Sequence, residues 1–158
     1  MKLDAAQFRT LMGRFATGVT VLAARRPGGQ AVGMTASSIA SASLEPPLVL
    51  VCVDRKHDIH PVLESRQPFA FSILAADQEE VSRRFAAFEG DRFEGVGYHE
   101  VAGLPVIDGA VGHLECQWHS SFPAGDHTVF LGLVTGGEVS ERRPLLHYRG
   151  GYAALVDR

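Results

Sequence analysis

The sequence predicts a mainly β protein with flanking helices, built as a closed or split β-barrel. Six or seven short runs rich in β-branched residues alternate with turn residues along the 158 residues, a pattern typical of antiparallel barrels. Only two substantial amphipathic helices interrupt these runs. The length suits one domain over residues 1–158, because a chain of this size buries a single core.

The first half begins with a helix and a hairpin. Asp4 is suited to cap the helix, which we expect to end at Gly18. Two strands follow, over 18–24 and 31–36, and the turn residues RRPGGQ between them predict an antiparallel hairpin. The apolar face of the helix is formed by Phe8, Leu11, Met12 and Phe15.

The middle of the chain alternates between strands and helices. Residues 48–53 (LVLVCV) are apolar without alternation, which predicts a strand buried on both faces. A short helix over 58–65 and a strand over 69–74 come next. The following helix has capping-box spacing from Asp77 to Glu80. Its apolar stripe consists of Val81, Phe85 and Phe88.

The second half is mostly β. Between 110 and 118 apolar and polar residues alternate, which indicates a half-buried strand. Further strands are expected over 126–134 and 150–156. The two faces of the alternating strand carry, respectively, Ala110, Leu114, Cys116 and Trp118, and His113, Glu115 and Gln117.

Charge and composition argue against several classes of partner. Fifteen basic and eighteen acidic residues give a formal net charge of −3, so there is no basic surplus for nucleic acid. The N-terminal segment lacks the apolar stretch of a signal peptide, and no apolar run is long enough for a membrane span. Cys52 and Cys116 lie in strand-like runs without Cys-x-x-Cys spacing, as expected for buried thiols of a cytoplasmic protein.

Familiar catalytic and metal-binding motifs do not occur. The sequence has no Rossmann glycine fingerprint, P-loop or nucleophile elbow. His57 and His60 are spaced to share a face, as are His113 and Glu115, but neither pair has a third ligand at ordinary metal-site spacing. We therefore predict no metal site and expect most histidines at the surface or the rim.

Small hydroxyl residues crowd the segment 33–47 (GMTASSIASASLEPP). One interpretation is a polar loop between two strands. The other is a ligand surface, because small side chains let a flat or anionic ligand approach backbone N–H groups. The next strand ends in Arg55 and Lys56, whose charge suits a phosphate.

A Pro-Ala-Gly turn delivers Asp126 and His127, side by side, to the start of an apolar strand. Adjacent strand residues point to opposite faces, so we expect that Asp126 does not orient His127. Asp126 would instead fix the turn through backbone N–H groups. His127 is then either a ligand-contacting residue or an ordinary histidine at a strand end.

From about residue 15 to the C-terminus, the chain resembles the short-chain flavin reductases. These proteins supply reduced flavin to two-component flavin-dependent monooxygenases. The segments that carry the resemblance are, in chain order, GMTASS (33–38), SLEPPLVLVCV (43–53), FAFSILAADQEEVSRRFA (69–86), RF (92–93), PAGDHTVFLG (123–132) and YRGGY (148–152).

The resemblance implies a split β-barrel flavin-binding domain, and usually a homodimer with the flavin near the subunit interface. The chain has more apolar residues than one core requires. Those that fit such an interface are Trp118, Phe122 and Phe130. The implied activity is that of an NAD(P)H:flavin oxidoreductase, which binds FMN or FAD and serves a partner monooxygenase. NADH is favoured over NADPH because no arginine pair marks a 2′-phosphate position. The alternatives are a flavin-retaining electron carrier on the same barrel and a histidine-rich metal-binding barrel.

The resemblance also assigns roles to residues. His127 would act catalytically beside the flavin ring, where the nicotinamide stacks. The residues 35–38 would line the isoalloxazine and ribityl chain. The full cofactor-binding set is Met34, Thr35, Ala36, Ser37, Ser38, Cys52, Val53, Asp54, Lys56, His57, Phe85, Ala86, Arg92, Phe93, Gly125, Tyr148 and Arg149.

Two positions depart from the family's pattern. Many relatives have Asn where this chain has Asp54 and Ser72. Lys56 and His57 would lie nearer the flavin phosphate, and a carboxylate beside a phosphate is unfavourable unless Lys56 or Arg55 screens it.

Overall fold

The computed structural model describes residues 2–87 and 89–157. Its helices are α1 (Ala5–Met12), α2 (His60–Glu64) and α3 (Glu79–Ala86). Its strands are β1 (Thr17–Gly18), β2 (Thr20–Arg25), β3 (Ala31–Ala36), β4 (Ile39–Leu44), β5 (Pro47–Asp54), β6 (Phe69–Ile73), β7 (Tyr98–Val101), β8 (Leu104–Ile107), β9 (Gly112–Ala124), β10 (His127–Val139), β11 (Leu146–Tyr148) and β12 (Gly151–Ala153).

Seven antiparallel strands form the main sheet, in the order β3-β2-β6-β9-β10-β5-β4. The predicted first hairpin is confirmed, with Thr20 opposite Ala36 and Arg25 opposite Ala31. Two smaller sheets, β1-β11-β12 and β7-β8, complete the strand inventory of the described residues. None of the helices in these residues is both long and apolar enough to cross a membrane.

The main sheet curls into a split barrel. Its two edge strands, β3 and β4, follow one another in the chain and are joined by Ser37 and Ser38 alone. Met34 on β3 and Ile39 on β4 nevertheless belong to the same core. Opposite edges of a sheet share a core only when the sheet curves back on itself, so the mainly β, split-barrel prediction is confirmed.

Apolar side chains fill the barrel and also cover part of its outside. Phe71 and Phe130 lie inside and are fully buried, and Leu63 of α2 joins the same core. On the outer face Phe85 of α3 packs with Val21 of β2 in a second core. Helix α2 thus packs on the core inside the barrel, and α3 covers part of its outer face.

The burial of β5 differs from the prediction. Val49, Val51 and Val53 are buried, whereas the alternate residues Leu50 and Cys52 are only half-buried. The expectation of a strand buried on both faces was wrong, because one face of β5 packs on the core and the other is only partly covered by the described chain.

Helix α1 begins where the sequence predicted but ends earlier. The Asp4 carboxylate accepts from the Gln7 N–H at 2.8 Å, and the Gln7 side chain accepts from the Asp4 N–H at 3.0 Å, completing a capping box. The helix ends at Met12 with Gly13 as its C-cap, not at Gly18. Gly18 was mispredicted because it pairs with Leu146 in the small β1-β11 ladder, a long-range contact.

Helix α3 lacks the predicted capping box. It begins at Glu79, and Gln78 occupies the N-cap position without a side-chain capping bond. The Gln78 side chain instead accepts from the Ala75 N–H at 2.9 Å and donates to the Asp108 carbonyl at 2.7 Å. One local bond and one long-range bond of Gln78 therefore replace the cap expected from Asp77. Phe85 is buried as predicted, and Phe88 lies outside the described residues.

The two cysteines are free and differ in burial. Cys116 is fully buried, and desolvation raises the pKa of its thiol to about 12. Cys52 is half-buried, and the same cause raises its pKa. The prediction of two buried thiols is therefore confirmed for Cys116 only.

Gly132 on β10 provides a test of the barrel packing. A Cβ at this position would lie 2.6 Å from Cζ of Phe69 and 2.8 Å from Cβ of Cys116, both fully buried. We expect Gly132→Ala to lower the free energy of unfolding by about 1–3 kcal/mol through overpacking. Gly28→Ala is the matched control, because nothing lies within 4 Å of its added Cβ. Equal urea midpoints for the two variants would contradict the packing described.

Candidate functional site

The candidate site lies at the rim of the barrel, where β5 ends and β10 begins. The antiparallel ladder places Asp54 directly opposite His127. A tight turn with Gly125 at φ +62° connects β9 to β10, a conformation that glycine adopts at little cost. Arg55 ties the two segments together, because its guanidinium donates to the Gly125 carbonyl and its N–H donates to the Asp126 carbonyl at 3.3 Å.

Asp126 and His127 form a hydrogen-bonded pair, contrary to prediction. Nδ1 of His127 lies 2.7 Å from Oδ1 of Asp126, and this bond lowers the pKa of the Asp126 carboxyl. The alternation of strand side chains does not apply, because β10 begins at His127 and Asp126 belongs to the turn. Among the described residues Nε2 of His127 has no hydrogen-bond partner, so this nitrogen is available to a ligand.

Two carboxylates flank the His127 ring. Asp54, Asp126 and His127 each offer one potential metal-ligand atom, and these atoms lie within 4.8 Å of one another, the one such group among the described residues. Asp54 also accepts from the Lys56 N–H at 2.9 Å through Oδ1. The two carboxylates beside His127 are therefore accompanied by the cations of Arg55 and Lys56.

The histidines considered as metal ligands from the sequence make other contacts. Nε2 of His60 is 2.8 Å from the Thr128 hydroxyl, and His60 is buried against Phe130 inside the barrel. His113 is also buried, with Nε2 3.3 Å from a carboxylate oxygen of Glu115. The surface expectation is wrong for these two histidines, which serve packing and buried polar pairing.

His57 and Arg92 lie beside the end of β5. His57 is half-buried and its N–H donates to the Asp54 carbonyl at 3.1 Å. Desolvation lowers the pKa of His57, while the nearby Asp54 charge opposes that shift. Arg92 is buried, donates to the Gly33 carbonyl at 2.7 Å and lies 3.5 Å from the Asp58 carboxylate. Arg92 therefore anchors its loop to β3.

Phe85 and Phe93 do not present side chains to the rim. Both are buried in the outer core, where their rings meet edge to face with centroids 4.8 Å apart. They pack behind Gly33, whose added Cβ would lie 3.1–3.2 Å from the two rings. The two aromatic side chains thus support β3 from behind, and their closing of a ligand pocket stays a prediction. Ala86 is exposed at the end of α3.

The segment joining the two edge strands exposes backbone donors. Ser37 and Ser38 are exposed. The Ser38 hydroxyl donates to the Cys52 carbonyl at 2.9 Å, and the Ser38 carbonyl accepts from the Cys52 N–H at 3.3 Å. Within the described chain the N–H groups of Ser37 and Ser38 donate to no acceptor. These bonds place the Ser37–Ser38 segment beside Cys52 of β5, two residues before Asp54.

The cofactor-binding candidates just before this segment, residues 34–36, have side chains that point away from the exposed Ser37–Ser38 backbone. Met34 and Ala36 are buried, so only their backbone can meet a ligand. Thr35 donates its hydroxyl to the Ser82 carbonyl at 2.6 Å, and the Ser82 hydroxyl lies 2.7 Å from that of Tyr152. The Ser82–Tyr152 contact could not be predicted from the sequence, because no local pattern indicates contacts between residues so far apart in the chain.

The side chains of Val53 and Ser72 are both buried in the protein. Val53 is fully buried in the barrel, so its side chain does not face the rim. Ser72 is buried and its hydroxyl accepts from the Ile107 N–H at 2.9 Å, so this departure from the family pattern holds β8 in place. Tyr148 is exposed, and Arg149 follows it in a left-handed turn at φ +55°.

The residues at the rim fit a flavin and its phosphate. Open N–H groups at Ser37 and Ser38 can donate to carbonyl or phosphate oxygens, and small side chains there leave room for a flat ring. Lys56 and Arg55 supply cations at the adjoining end of β5. The Nε2 atom of His127 is the remaining polar group at the same rim.

Comparisons with known proteins support this interpretation. The chain is 42% identical to an NADH-dependent FAD reductase of Streptomyces globisporus, over 94% of this chain and 84% of the relative. It is 41% identical to the reductase component of a 4-hydroxyphenylacetate 3-monooxygenase of Thermus thermophilus, over 94% of this chain and 95% of the relative. The structure of a Streptomyces globisporus NADH:FAD oxidoreductase in complex with NAD and FAD fragments superposes with a TM-score of 0.93, at 39% identity, covering 99% and 98% of the two chains.

The family model described as the flavin reductase like domain matches residues 12–156. This range includes the whole barrel, the Ser37–Ser38 segment and the Asp126–His127 pair. The chain therefore belongs to the flavin reductase-like domain family.

Proposed function

We propose that this protein is an NAD(P)H:flavin oxidoreductase that reduces FMN or FAD with hydride from NADH and supplies the reduced flavin to a partner monooxygenase. The observation that carries the proposal is the convergence at one rim of the open N–H groups of Ser37 and Ser38 with the free Nε2 of His127. Relatives named as a FAD reductase and as a monooxygenase reductase component add support. We place the protein in the cytoplasm, where its two free thiols stay reduced.

The nicotinamide and the flavin would donate and accept the hydride. The role of the protein is therefore to bind both cofactors, orient their rings and exclude water from the site. Ser37 and Ser38 present small side chains and backbone donors, which let a flat ring lie against the chain. Arg55 and Lys56 provide positive charge for a phosphate and offset the Asp54 carboxylate.

His127 is suited to hold the nicotinamide. Asp126 accepts from Nδ1–H, so the ring orientation is set and Nε2 points away from that bond. A neutral His127 can accept through Nε2 from a carboxamide N–H group, and a protonated His127 can donate to the carboxamide oxygen. Either contact restricts the nicotinamide to one position over the rim. This restriction favours hydride transfer from the nicotinamide ring to the flavin ring stacked on it.

We further propose a homodimer. The apolar face of α1 and the segment that follows it are exposed, with Phe8 at 56% and Phe15 at 71%, and such a surface is typical of an interface. Phe122 is also exposed. Of the other residues expected at an interface, Phe130 is fully buried in the barrel core and is unavailable, and Trp118 is partly buried against it.

The dimer is tested by light scattering at micromolar concentration. We expect twice the mass of one chain, and we expect Phe15→Glu to shift the protein toward monomer by placing a charge in the interface. Val139→Glu is the control, because Val139 is exposed elsewhere, at the end of β10. A monomeric wild type with full flavin reductase activity would refute the dimer.

Ser37→Leu tests the ligand surface. The exposed Ser37 side chain makes no hydrogen bond to the described residues, so the larger side chain should leave the melting temperature of the apo-protein unchanged. Bulk at this position should raise the flavin dissociation constant about 10-fold or more, equivalent to about 1.4 kcal/mol. Ser41→Leu, an exposed serine of the same segment, is the matched control. Unaltered flavin affinity in Ser37→Leu would place the ring elsewhere.

His127→Asn tests the nicotinamide contact. We expect kcat/KM for NADH to fall about 10–100-fold, the size of one hydrogen bond in the transition state. Asp126→Asn should show part of the same loss, because it weakens the bond that orients the ring. Stopped-flow reduction of bound flavin measures the effect, with the exposed His119→Asn as control. Wild-type rates in His127→Asn would remove His127 from the site.

A further inference from the structure

Three side chains able to bind a metal ion meet where β5 ends and β10 begins. Asp54, Asp126 and His127 each offer one ligand atom, and these atoms lie within 4.8 Å of one another. Carboxylate oxygens and imidazole nitrogens are ordinary ligands of Zn²⁺, with bonds of about 2.0–2.2 Å. Two ligands of a tetrahedral ion then lie about 3.3–3.6 Å apart, so one ion can reach all three groups after small side-chain movements.

The two carboxylates of this trio lack an ion-pair partner from lysine or arginine. Within residues 2–87 and 89–157, neither Asp54 nor Asp126 forms such a pair. By contrast, Glu79 is paired with Arg83. Two like charges held this close repel each other, and a divalent cation bound between them removes the repulsion.

Two cations lie near the trio without contacting its carboxylates. The Arg55 guanidinium donates to the Gly125 carbonyl. Lys56 lies beyond ion-pair distance of Asp126, although its charge still acts on that carboxylate. Neither side chain therefore neutralises the carboxylates by direct contact.

The backbone holds the three ligands in place. Asp54 and His127 are directly opposite each other on paired strands. The Arg55 N–H donates to the Asp126 carbonyl at 3.3 Å, which ties the turn to the end of β5. Oδ1 of Asp54 accepts from the Lys56 N–H at 2.9 Å, and hydrogen bonds of this kind orient a ligating carboxylate. The trio is therefore assembled by the fold before any ion binds.

A second histidine–aspartate contact shows what Asp54 adds. Nδ1 of His99 lies 2.6 Å from Oδ1 of Asp108, and the corresponding distance between His127 and Asp126 is 2.7 Å. Among the residues that the structure describes, no third histidine, cysteine or carboxylate ligand completes the His99 pair. The third ligand distinguishes the rim from this otherwise similar pair.

Metal coordination would change the hydrogen-bonding role of His127. Nδ1 faces the Asp126 carboxylate, so it is the nitrogen that an ion between these groups would bind. A neutral imidazole bound through Nδ1 carries its proton on Nε2. Nε2 could then donate a hydrogen bond, but it could no longer accept one from a carboxamide N–H group.

We propose that Asp54, Asp126 and His127 form a binding site for Zn²⁺ or a similar divalent transition-metal ion, and that the bound ion inhibits the reaction with NADH. The inhibitory role rests on the proposed function, whereas binding of the ion requires neither flavin nor NADH. The spacing of residues in the sequence could not indicate this site, because Asp54 lies far from the other two ligands in the chain.

Calorimetry of the metal-free protein with Zn²⁺, in the absence of flavin and NADH, tests the site. We expect one ion per chain. Asp54→Asn and Asp126→Asn, which keep the side-chain shape, should each weaken binding at least about 10-fold, the loss typical even of a hydrogen-bond partner of a ligand. Asp108→Asn is the matched control, because it alters the histidine–aspartate pair that has no third ligand. Wild-type affinity in Asp54→Asn, or an equal loss in Asp108→Asn, would overturn the site.

Steady-state kinetics tests the inhibition. A Zn²⁺ concentration that saturates the wild type should lower kcat/KM for NADH about 10-fold, the size of one hydrogen bond, and EDTA should restore it. Asp54→Asn, compared with its own metal-free rate, should require about 10-fold more Zn²⁺ for the same effect. Zn²⁺ binding that leaves kcat/KM of the wild type unchanged would overturn the inhibitory role. Absence of flavin reduction by the metal-free wild type would instead refute the proposed function, while Asp54-dependent Zn²⁺ binding would still support the site.

Discussion

The pairing of β10 with both β5 and β9 is the interaction on which the rest of the structure depends. This strand carries Phe130 into the barrel core and begins with His127 at the rim. Its ladder with β5 sets Asp54 opposite His127, and its turn from β9 supplies Asp126. The same backbone bonds therefore align the core and the polar groups, so the rim has the rigidity of the barrel.

The split in the barrel has a chemical consequence. A fully closed barrel would pair the N–H groups at every strand edge, but here β3 and β4 are edges joined by Ser37 and Ser38. The bonds between Ser38 and Cys52 hold this connection against β5 while two N–H groups stay open. The two open N–H groups at this split can donate to the oxygens of a polar ligand.

Charges of both signs meet at the rim. Asp54 and Asp126 flank His127, while the Arg55 guanidinium donates to the Gly125 carbonyl and the Lys56 charge acts on Asp126. A neutral ring fits beside the carboxylates, and a phosphate fits beside the two cations. The hydrogen bonds of Thr35, Ser82 and Tyr152 join this part of the barrel to α3 and β12.

The sequence by itself determined the class of fold, most elements and several rim residues. Periodicity and turn residues located the hairpin of β2 and β3, the helix that carries Phe85, and the turn before His127, because these signals act between near neighbours in the chain. The resemblance to the flavin reductases marked the segments around Ser37 and His127.

Only the tertiary structure decided which side chains meet. It paired Asp126 with His127, because the strand begins one residue later than the alternation assumed. It placed Phe85 and Phe93 in the outer core. Contacts between residues far apart in sequence depend on how the sheet curls and where each strand starts, and neither quantity is encoded in a local pattern of residues.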